Sequence, residues 1–210
     1  MATSETAGWP SVSRAGAVLH WYDFVCPFCY VAQQRNEIFR RHGIALVALP
    51  FQAHPDIPPG GISAGARHAP MYAMLEDEAR MTGLPLQWPR HLPNTRRALA
   101  AAEWTRRQQP GAFPGVSQDL FEAHFALGED LEDQRVIDRC AGRWDVDLPA
   151  LHAALADGTA AAAVTAAEML GRSYGVRGTP AWLVGQQLIT GLQPTVAFER
   201  LAEHALAMQR

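Results

Sequence analysis

The sequence predicts an α/β fold in which a strand–helix–strand unit and a strand–strand–helix unit flank a long helical block. Three observations predict it. Apolar, β-favouring runs stand near both ends of the chain, at residues 17–24, 44–52, 181–184 and 187–190. Between residues 69 and 174 alanine dominates and the apolar spacing is helical throughout. Strand signals return only after this block, so we expect the terminal parts to form one α/β layer structure with the helices inserted between them.

The first unit is organised around a strand-to-helix junction. Residues 17–24, AVLHWYDF, are expected to form a buried strand. Pro27 suits the first turn of the following helix, because its missing N–H would have no partner there, and Gly43 suits the helix end. The nearly continuous apolar run at 44–52 is typical of a strand buried on both faces. Residues 1–16 are mostly small and polar and are expected to be a disordered leader.

The helical block and the second unit are predicted from the spacing of apolar residues and from residues typical of helix ends. Asn94 and Thr159 are expected to cap helices, and a final amphipathic helix is expected to start at Pro194. The predicted domains are an α/β domain of residues 17–65 with 175–210, and an inserted helical domain of residues 66–174. The helices predicted in the insertion span about 69–82, 94–109, 114–127, 132–142, 147–157 and 159–174.

The composition of the 210-residue chain excludes several classes of partner. The formal net charge is −3, and the basic pairs stand at helical spacing from acidic or apolar residues, so no nucleic-acid-binding face is expected. No apolar run approaches the roughly 18 residues needed to span a membrane, and the N-terminus lacks the pattern of a secretory signal. We therefore expect a cytoplasmic protein, in a compartment where structural disulfides are rare.

The stretch DFVCPFCYV, residues 23–31, places two cysteines at the predicted strand-to-helix junction. A helix N-terminus carries about half a positive charge and unpaired N–H groups, which stabilise a thiolate. Cys26 is expected at the N-cap and exposed, whereas Cys29 is expected one turn in and more buried. This asymmetry suits disulfide exchange, in which Cys26 forms a mixed disulfide and Cys29 resolves it.

Other interpretations of this pair are a zinc half-site and a structural disulfide. A zinc site usually needs two further cysteine or histidine ligands at close spacing, and none follows here, so no metal is expected. Cys140 is isolated in VIDRCAG and is expected to be a buried helix cysteine, with a third redox partner as the alternative.

A second motif strengthens the redox interpretation. Thr179 and Pro180 stand immediately before the strand predicted at 181–184, where proline is allowed and where a cis bond is a tight-turn device. The end of the first strand, with Cys26, and this proline can reach the same edge of the sheet. Such a pairing is typical of thioredoxin-fold oxidoreductases.

Together, DFVCPFCY, PFQAHPDIPPGG and GVRGTPAWLVGQQLITGLQP resemble the DsbA family of thioredoxin-fold proteins, and its cytoplasmic FrnE-like branch in particular. The resemblance covers residues 17–208. It implies a thioredoxin fold with an inserted α-helical domain, and a cis-proline loop at Thr179–Pro180 that pairs with bound polypeptide like an added strand. The candidate substrate-binding residues are therefore Thr179, Pro180, Pro27 and Phe28.

The chain departs from the family at one position. Some members carry a carboxylate six residues before the first cysteine, and here that residue is His20. Asp23 lies closer, three residues before Cys26. Either side chain could relay a proton to Cys29; alternatively, Asp23 caps or orients the turn and His20 is a hydrogen-bonded core histidine.

The leading functional hypothesis is a thiol–disulfide oxidoreductase, with Cys26 as nucleophile and Cys29 as resolving thiol, acting on protein or small-molecule disulfides. It requires no metal or organic cofactor, although glutathione is a possible co-substrate, and we expect a monomer or homodimer. One alternative is a glutathione-dependent isomerase or transferase of the 2-hydroxychromene-2-carboxylate isomerase or kappa class. The other is a chaperone-like module that binds polypeptides in a cleft. Trp88, His91 and Trp104 are expected to pack between helices; alternatively, they line a cleft between the insertion and the α/β layer.

Overall fold

The computed structural model describes residues 17–66 and 69–208, so the predicted leader lies outside the described residues. The first unit comprises β1 (Val18–Tyr22), α1 (Pro27–Arg41) and β2 (Leu46–Pro50), and the last comprises β5 (Ala181–Val184), β6 (Gln187–Thr190) and α8 (Thr195–Met208). Between them lie α2 (Pro70–Thr82), α3 (Arg96–Gln108), α4 (Phe113–Phe125), α5 (Gln134–Gly142), α6 (Leu148–Ala156) and α7 (Thr159–Ser173). The predicted α/β class with a helical insertion is confirmed.

Four strands form a sheet in the order β2–β1–β5–β6. The β1 strand runs parallel to β2 and antiparallel to β5, and Trp21 pairs with Ala181. The C-terminal end of β1 and the N-terminal end of β5 therefore meet at one edge of the sheet. This register brings the cysteine motif and the Thr-Pro motif to the same place.

Helices cover both faces of the sheet. On one face α1 and α8 pack together, and the rings of Phe39 and Phe198 lie 5.8 Å apart, edge to face. On the other face lies α7, where the Trp21 indole N–H donates to the Ala167 carbonyl at 3.2 Å. The α7 helix thus packs on the sheet, although its residues fall within the range predicted for the insertion.

The rest of the insertion packs against the strand-to-helix junction. Phe24 lies 4.8 Å from Phe121 of α4, edge to face, and Tyr30 of α1 stacks on Phe125 at 4.9 Å. One continuous hydrophobic cluster therefore joins this junction to the inserted helices.

Three details differ from the sequence predictions. The N-cap of α3 is Thr95 and not Asn94, although the Asn94 side-chain oxygen accepts the Arg96 N–H at 3.0 Å. A two-stranded antiparallel ladder, β3 (Ile62–Ser63) with β4 (His91–Leu92), was not predicted, because two-residue strands carry no periodic signal. Thr159 is the first helical residue of α7 and not its cap. The N-cap is Gly158 at φ 82°, and the Asp157 carboxylate accepts the Thr159 N–H at 2.9 Å. No helix in the described part of the chain is long and apolar enough to cross a membrane.

Candidate active site

The site is built on the turn that leads from β1 into α1. Cys26 is the N-cap of α1 in an extended conformation, and Pro27 occupies the first helical turn as predicted. The Cys26 carbonyl accepts the N–H groups of Cys29 and Tyr30 at 3.0 and 3.2 Å. The N-terminus of α1 therefore lies at the Cys26 side chain, and the Cys29 N–H also lies close enough to the sulfur to stabilise its thiolate.

The second component is the loop before β5. The Thr179–Pro180 peptide bond is cis, which confirms the expectation drawn from the family resemblance. The Cys26 thiol donates to the Thr179 carbonyl oxygen at 3.3 Å, and Pro180 is buried. A contact across 153 residues of sequence thus places the backbone of this loop directly against the first thiol.

The two thiols differ in acidity. Burial opposes the charged form of Cys26, but hydrogen bonds to its sulfur from the Cys29 thiol, the Thr179 side chain and the Cys29 N–H outweigh burial and hold the pKa of Cys26 below its ordinary value. Burial, together with the adjacent Cys26 sulfur, raises the pKa of Cys29 well above its ordinary value. At neutral pH the first sulfur is thus the better nucleophile, and the second is held as a thiol.

The predicted exposure of Cys26 is wrong. Cys26 is only 7% exposed and Cys29 is 1% exposed. The physical reason is tertiary, because the carbonyl of the Thr179 loop lies over the Cys26 sulfur. The order of burial is nevertheless the predicted one, with Cys29 the more deeply recessed.

Asp23 is fully buried beneath the turn and holds it to the rest of the molecule. Its carboxylate accepts the N–H of Val25 at 3.4 Å and the N–H of Ala53 at 2.8 Å. Burial raises its pKa, against the opposing effect of hydrogen bonds from Thr95, Ala53 and Val25. These contacts fit the orienting role considered for Asp23; a proton-relay role stays a prediction.

His20 is buried in β1, where its ring stacks on Trp182 at 4.6 Å. Its Nδ1 lies 3.2 Å from the Ala181 carbonyl oxygen. Because a carbonyl only accepts hydrogen bonds, Nδ1 carries the proton and Nε2 is the basic nitrogen. Burial lowers the pKa of His20 to about 3, so the ring is neutral throughout the physiological range. A relay role for His20 stays a prediction, and a ring this weakly basic would orient water better than it would hold a proton.

A cleft of about 190 Å³ lies beside the motif, lined by Val25 and Pro27 on one side and by the aromatic residues Tyr72, Trp88 and Phe125 on the other. Trp88 thus lines this cleft, which was the alternative to a helix-packing role for this residue. Phe28, the other candidate substrate contact in the motif, is half-buried against the hydrophobic cluster.

The other two residues considered for the cleft, His91 and Trp104, do not line it. Trp104 packs against the helical core. His91 lies 3.7 Å from the Asp130 carboxylate, and with Glu132 these side chains form a group whose ligand atoms lie within 4.8 Å of one another. Both Glu132 oxygens already accept backbone N–H groups, from Asn94 at 2.7 Å and from residue 60 at 2.9 Å. The Glu132 carboxylate therefore connects two loops through hydrogen bonds to their backbone.

Cys140 is buried in α5, as predicted, and 2% exposed. Burial raises its pKa to about 11, so it remains a thiol at neutral pH. It packs in the hydrophobic cluster as a small apolar residue.

The surroundings of Cys29 were not predicted from the sequence. A second cavity, of about 110 Å³, lies behind this thiol and is lined by Tyr22, Gln33, Ser117 and Gln118, among others. The signal for Tyr22 was available, because residues two apart in a strand share a face and Tyr22 follows His20 by two. The α4 residues carried no such signal, since only the packing of α4 on α1 brings them there.

Comparisons with known proteins agree with the observed fold. A family model described as a DSBA-like thioredoxin domain matches residues 17–203. No curated protein matches the chain.

Three solved structures illustrate the shared fold. A probable DsbA oxidoreductase from Streptomyces coelicolor is 20% identical with a TM-score of 0.76, covering 93% of this chain and 92% of that one. A 2-hydroxychromene-2-carboxylate isomerase is 20% identical with a TM-score of 0.69, covering 91% and 94%. The cytosolic disulfide reductase DsbM from Pseudomonas aeruginosa, solved with glutathione, is 17% identical with a TM-score of 0.67, covering 91% and 99%.

Proposed function

The chain belongs to the DSBA-like thioredoxin domain family, and from this premise we propose that it is a thiol–disulfide oxidoreductase whose redox centre is the Cys26–Cys29 pair. The observation that carries the proposal is the contact of the Cys26 thiol with the Thr179 carbonyl at a helix N-terminus. Such a position combines an acidified sulfur with a backbone edge that a bound polypeptide can pair with. The FrnE-like branch and a cytoplasmic location belong to the same proposal.

The reaction consists of two exchanges. The Cys26 thiolate attacks one sulfur of a substrate disulfide; the substrate S–S bond breaks, and the first substrate sulfur leaves as a thiolate. Cys29 then loses its proton and attacks the Cys26 sulfur, which releases the second substrate thiolate. Two electrons pass from the cysteine pair to the substrate, and the pair becomes a disulfide. In the opposite direction the same steps oxidise a dithiol.

Two features support specific roles for the neighbouring residues. The Thr179–Pro180 backbone lies against the reactive sulfur, where it would align an extended substrate. The aromatic cleft beside Pro27 would receive an apolar group next to the substrate cysteine. Glutathione is a candidate thiol for regenerating the pair, because the DsbM structure, which shares this fold, was solved with it.

The test is turnover of a protein disulfide, such as that of insulin, with a small thiol as reductant. Cys26→Ala should abolish turnover, since burial raises the pKa of both Cys29 and Cys140 and holds them as thiols. Cys140→Ala is the matched control, because this third cysteine is buried in α5, lines neither cavity beside the motif and should be dispensable. Retained activity in Cys26→Ala would refute the proposal.

A glutathione-dependent isomerase or transferase is the second candidate. The aromatic cleft beside the motif favours it, because such a cleft could hold an aromatic substrate near a thiol. That chemistry needs only one activated sulfur, so it should survive Cys29→Ala. Disulfide turnover should not, because the mixed disulfide would then lack its resolving thiol.

A further inference from the structure

The cavity behind Cys29 leads from the buried thiol towards the surface. Its lining grades from the buried residues Cys29, His20 and Tyr22 to the half-buried Ser117 and Gln118 of α4. Its volume of about 110 Å³ has room for several water molecules, since one needs roughly 10–15 Å³ of such space. The polar side chains around it supply the partners that ordered water requires.

The Tyr22 hydroxyl indicates that this cavity contains ordered water. Tyr22 is 2% exposed, and within residues 17–66 and 69–208 its hydroxyl has no hydrogen-bond partner. Buried hydroxyls are almost always paired, with protein or with ordered water. Two residues earlier on the same strand face, His20 has its donor nitrogen on Ala181, which leaves Nε2 as an acceptor. β1 therefore offers a hydroxyl and a basic nitrogen to the same small space.

The second exchange needs an outlet for a proton. Cys29 attacks Cys26 only as a thiolate, and burial and the first sulfur both favour its protonated form. Asp23 holds the turn through the N–H groups of Val25 and Ala53 and does not line this cavity, and the lowered pKa of His20 makes that ring a weak base. Water in the cavity is the acceptor that its polar lining favours.

We propose that this cavity holds a short water chain that takes the proton from Cys29 and delivers it to solvent between α1 and α4, with the Tyr22 hydroxyl as the positioning residue. The inference rests on the proposed function. The S–H bond of Cys29 breaks and its proton passes to the first water. Each water that accepts a proton then donates one of its own protons to the next water. The sulfur electrons form the bond to Cys26, and the departing substrate sulfur keeps the pair of the broken bond and takes a proton from solvent.

Several charged or titratable groups surround this route and bear on its pH dependence. Among the residues that line the cavity, β2 supplies only Ala48 and the α4 side chains are all neutral. The groups that act on Cys29, Tyr22 or His20 are Cys26 and Asp23 at the turn, Arg40 of α1, and Glu103 and Arg106 of α3. Burial raises the pKa of Tyr22 well above its usual range, so its hydroxyl stays protonated and passes protons on without ionising.

The test separates the two exchanges in time. Rapid mixing of the reduced protein with a dithiobis(nitrobenzoate) reagent releases one chromophore when Cys26 attacks and a second when Cys29 resolves. In Tyr22→Phe the second release should slow on the order of tenfold, and its apparent pKa should rise, with the first release unchanged. Tyr30→Phe is the matched control. This tyrosine neighbours Cys29 in sequence, but its hydroxyl donates to the Pro85 carbonyl at 2.7 Å, and both phases should keep the parent rates.

Ser117→Leu provides a second variant, since its larger side chain would occupy the cavity from α4 while β1 and both cysteines keep their own side chains. It should slow the second release in the same way. Unchanged second phases in both variants, or an equal slowing of both phases in Tyr22→Phe, would overturn the inference. Insulin turnover by the parent protein, measured in parallel, tells this failure apart from failure of the proposed function.

Discussion

His20 should make the stability of the protein depend on pH in a predictable window. In the unfolded chain its pKa is about 6.5, whereas burial lowers the folded value to about 3. The folded state therefore binds fewer protons than the unfolded state between these values, and stability rises with pH across that window. The stability that neutral His20 contributes is complete above pH 6.5 and is lost as the pH falls towards 3.

The size of the effect follows from the same two values. Each pH unit within the window is worth about 1.4 kcal/mol, and pH 5 lies about 1.5 units below the unfolded pKa. We expect His20 alone to remove about 2 kcal/mol of the free energy of unfolding between pH 7 and pH 5. In His20→Asn the amide can still donate to the Ala181 carbonyl, but it cannot titrate.

Urea unfolding of the parent protein and of His20→Asn at pH 7, 6 and 5 measures the contribution of His20, because the carboxylates and the other histidines contribute equally to the two proteins. The parent should lose about 2 kcal/mol more than His20→Asn between pH 7 and pH 5. Equal losses in the two proteins, or a His20 ring signal that titrates near pH 6.5 in NMR spectra of the folded protein, would refute the reasoning.

Two further changes test the packing and the cleft. Gly171→Ala would place a Cβ 2.8 Å from the Trp21 indole nitrogen and should cost about 1–3 kcal/mol in thermal unfolding. Gly142→Ala, whose nearest neighbour would lie at 3.9 Å, should cost nothing, and equal melting temperatures for the two variants would contradict this account. Trp88→Ala should raise KM for disulfide peptides with an aromatic residue beside the cysteine by up to about tenfold, leaving Cys26 alkylation unchanged. Trp144→Ala, at an exposed position outside the cleft, is its control, and an unchanged KM in Trp88→Ala would exclude the cleft from substrate binding.

The sequence by itself determined the order of the elements and the position of the cysteine motif. Both depend on local physics: the apolar period distinguishes strand from helix, and Pro27 directly after Cys26 marks the start of α1. The meeting of the Cys26 and Thr179–Pro180 motifs was also predictable, since it requires only that β1 ends and β5 begins at the same edge of the sheet.

Only the tertiary structure decided the chemistry of the individual groups. Cys26 is covered by a carbonyl from residue 179, His20 loses its basicity through burial, and Asp23 is held by N–H groups from two loops. Desolvation and hydrogen bonding depend on which distant segments pack against a side chain, and no local pattern records that. The cavity behind Cys29 exists for the same reason, because α4 closes it from more than eighty residues away in sequence.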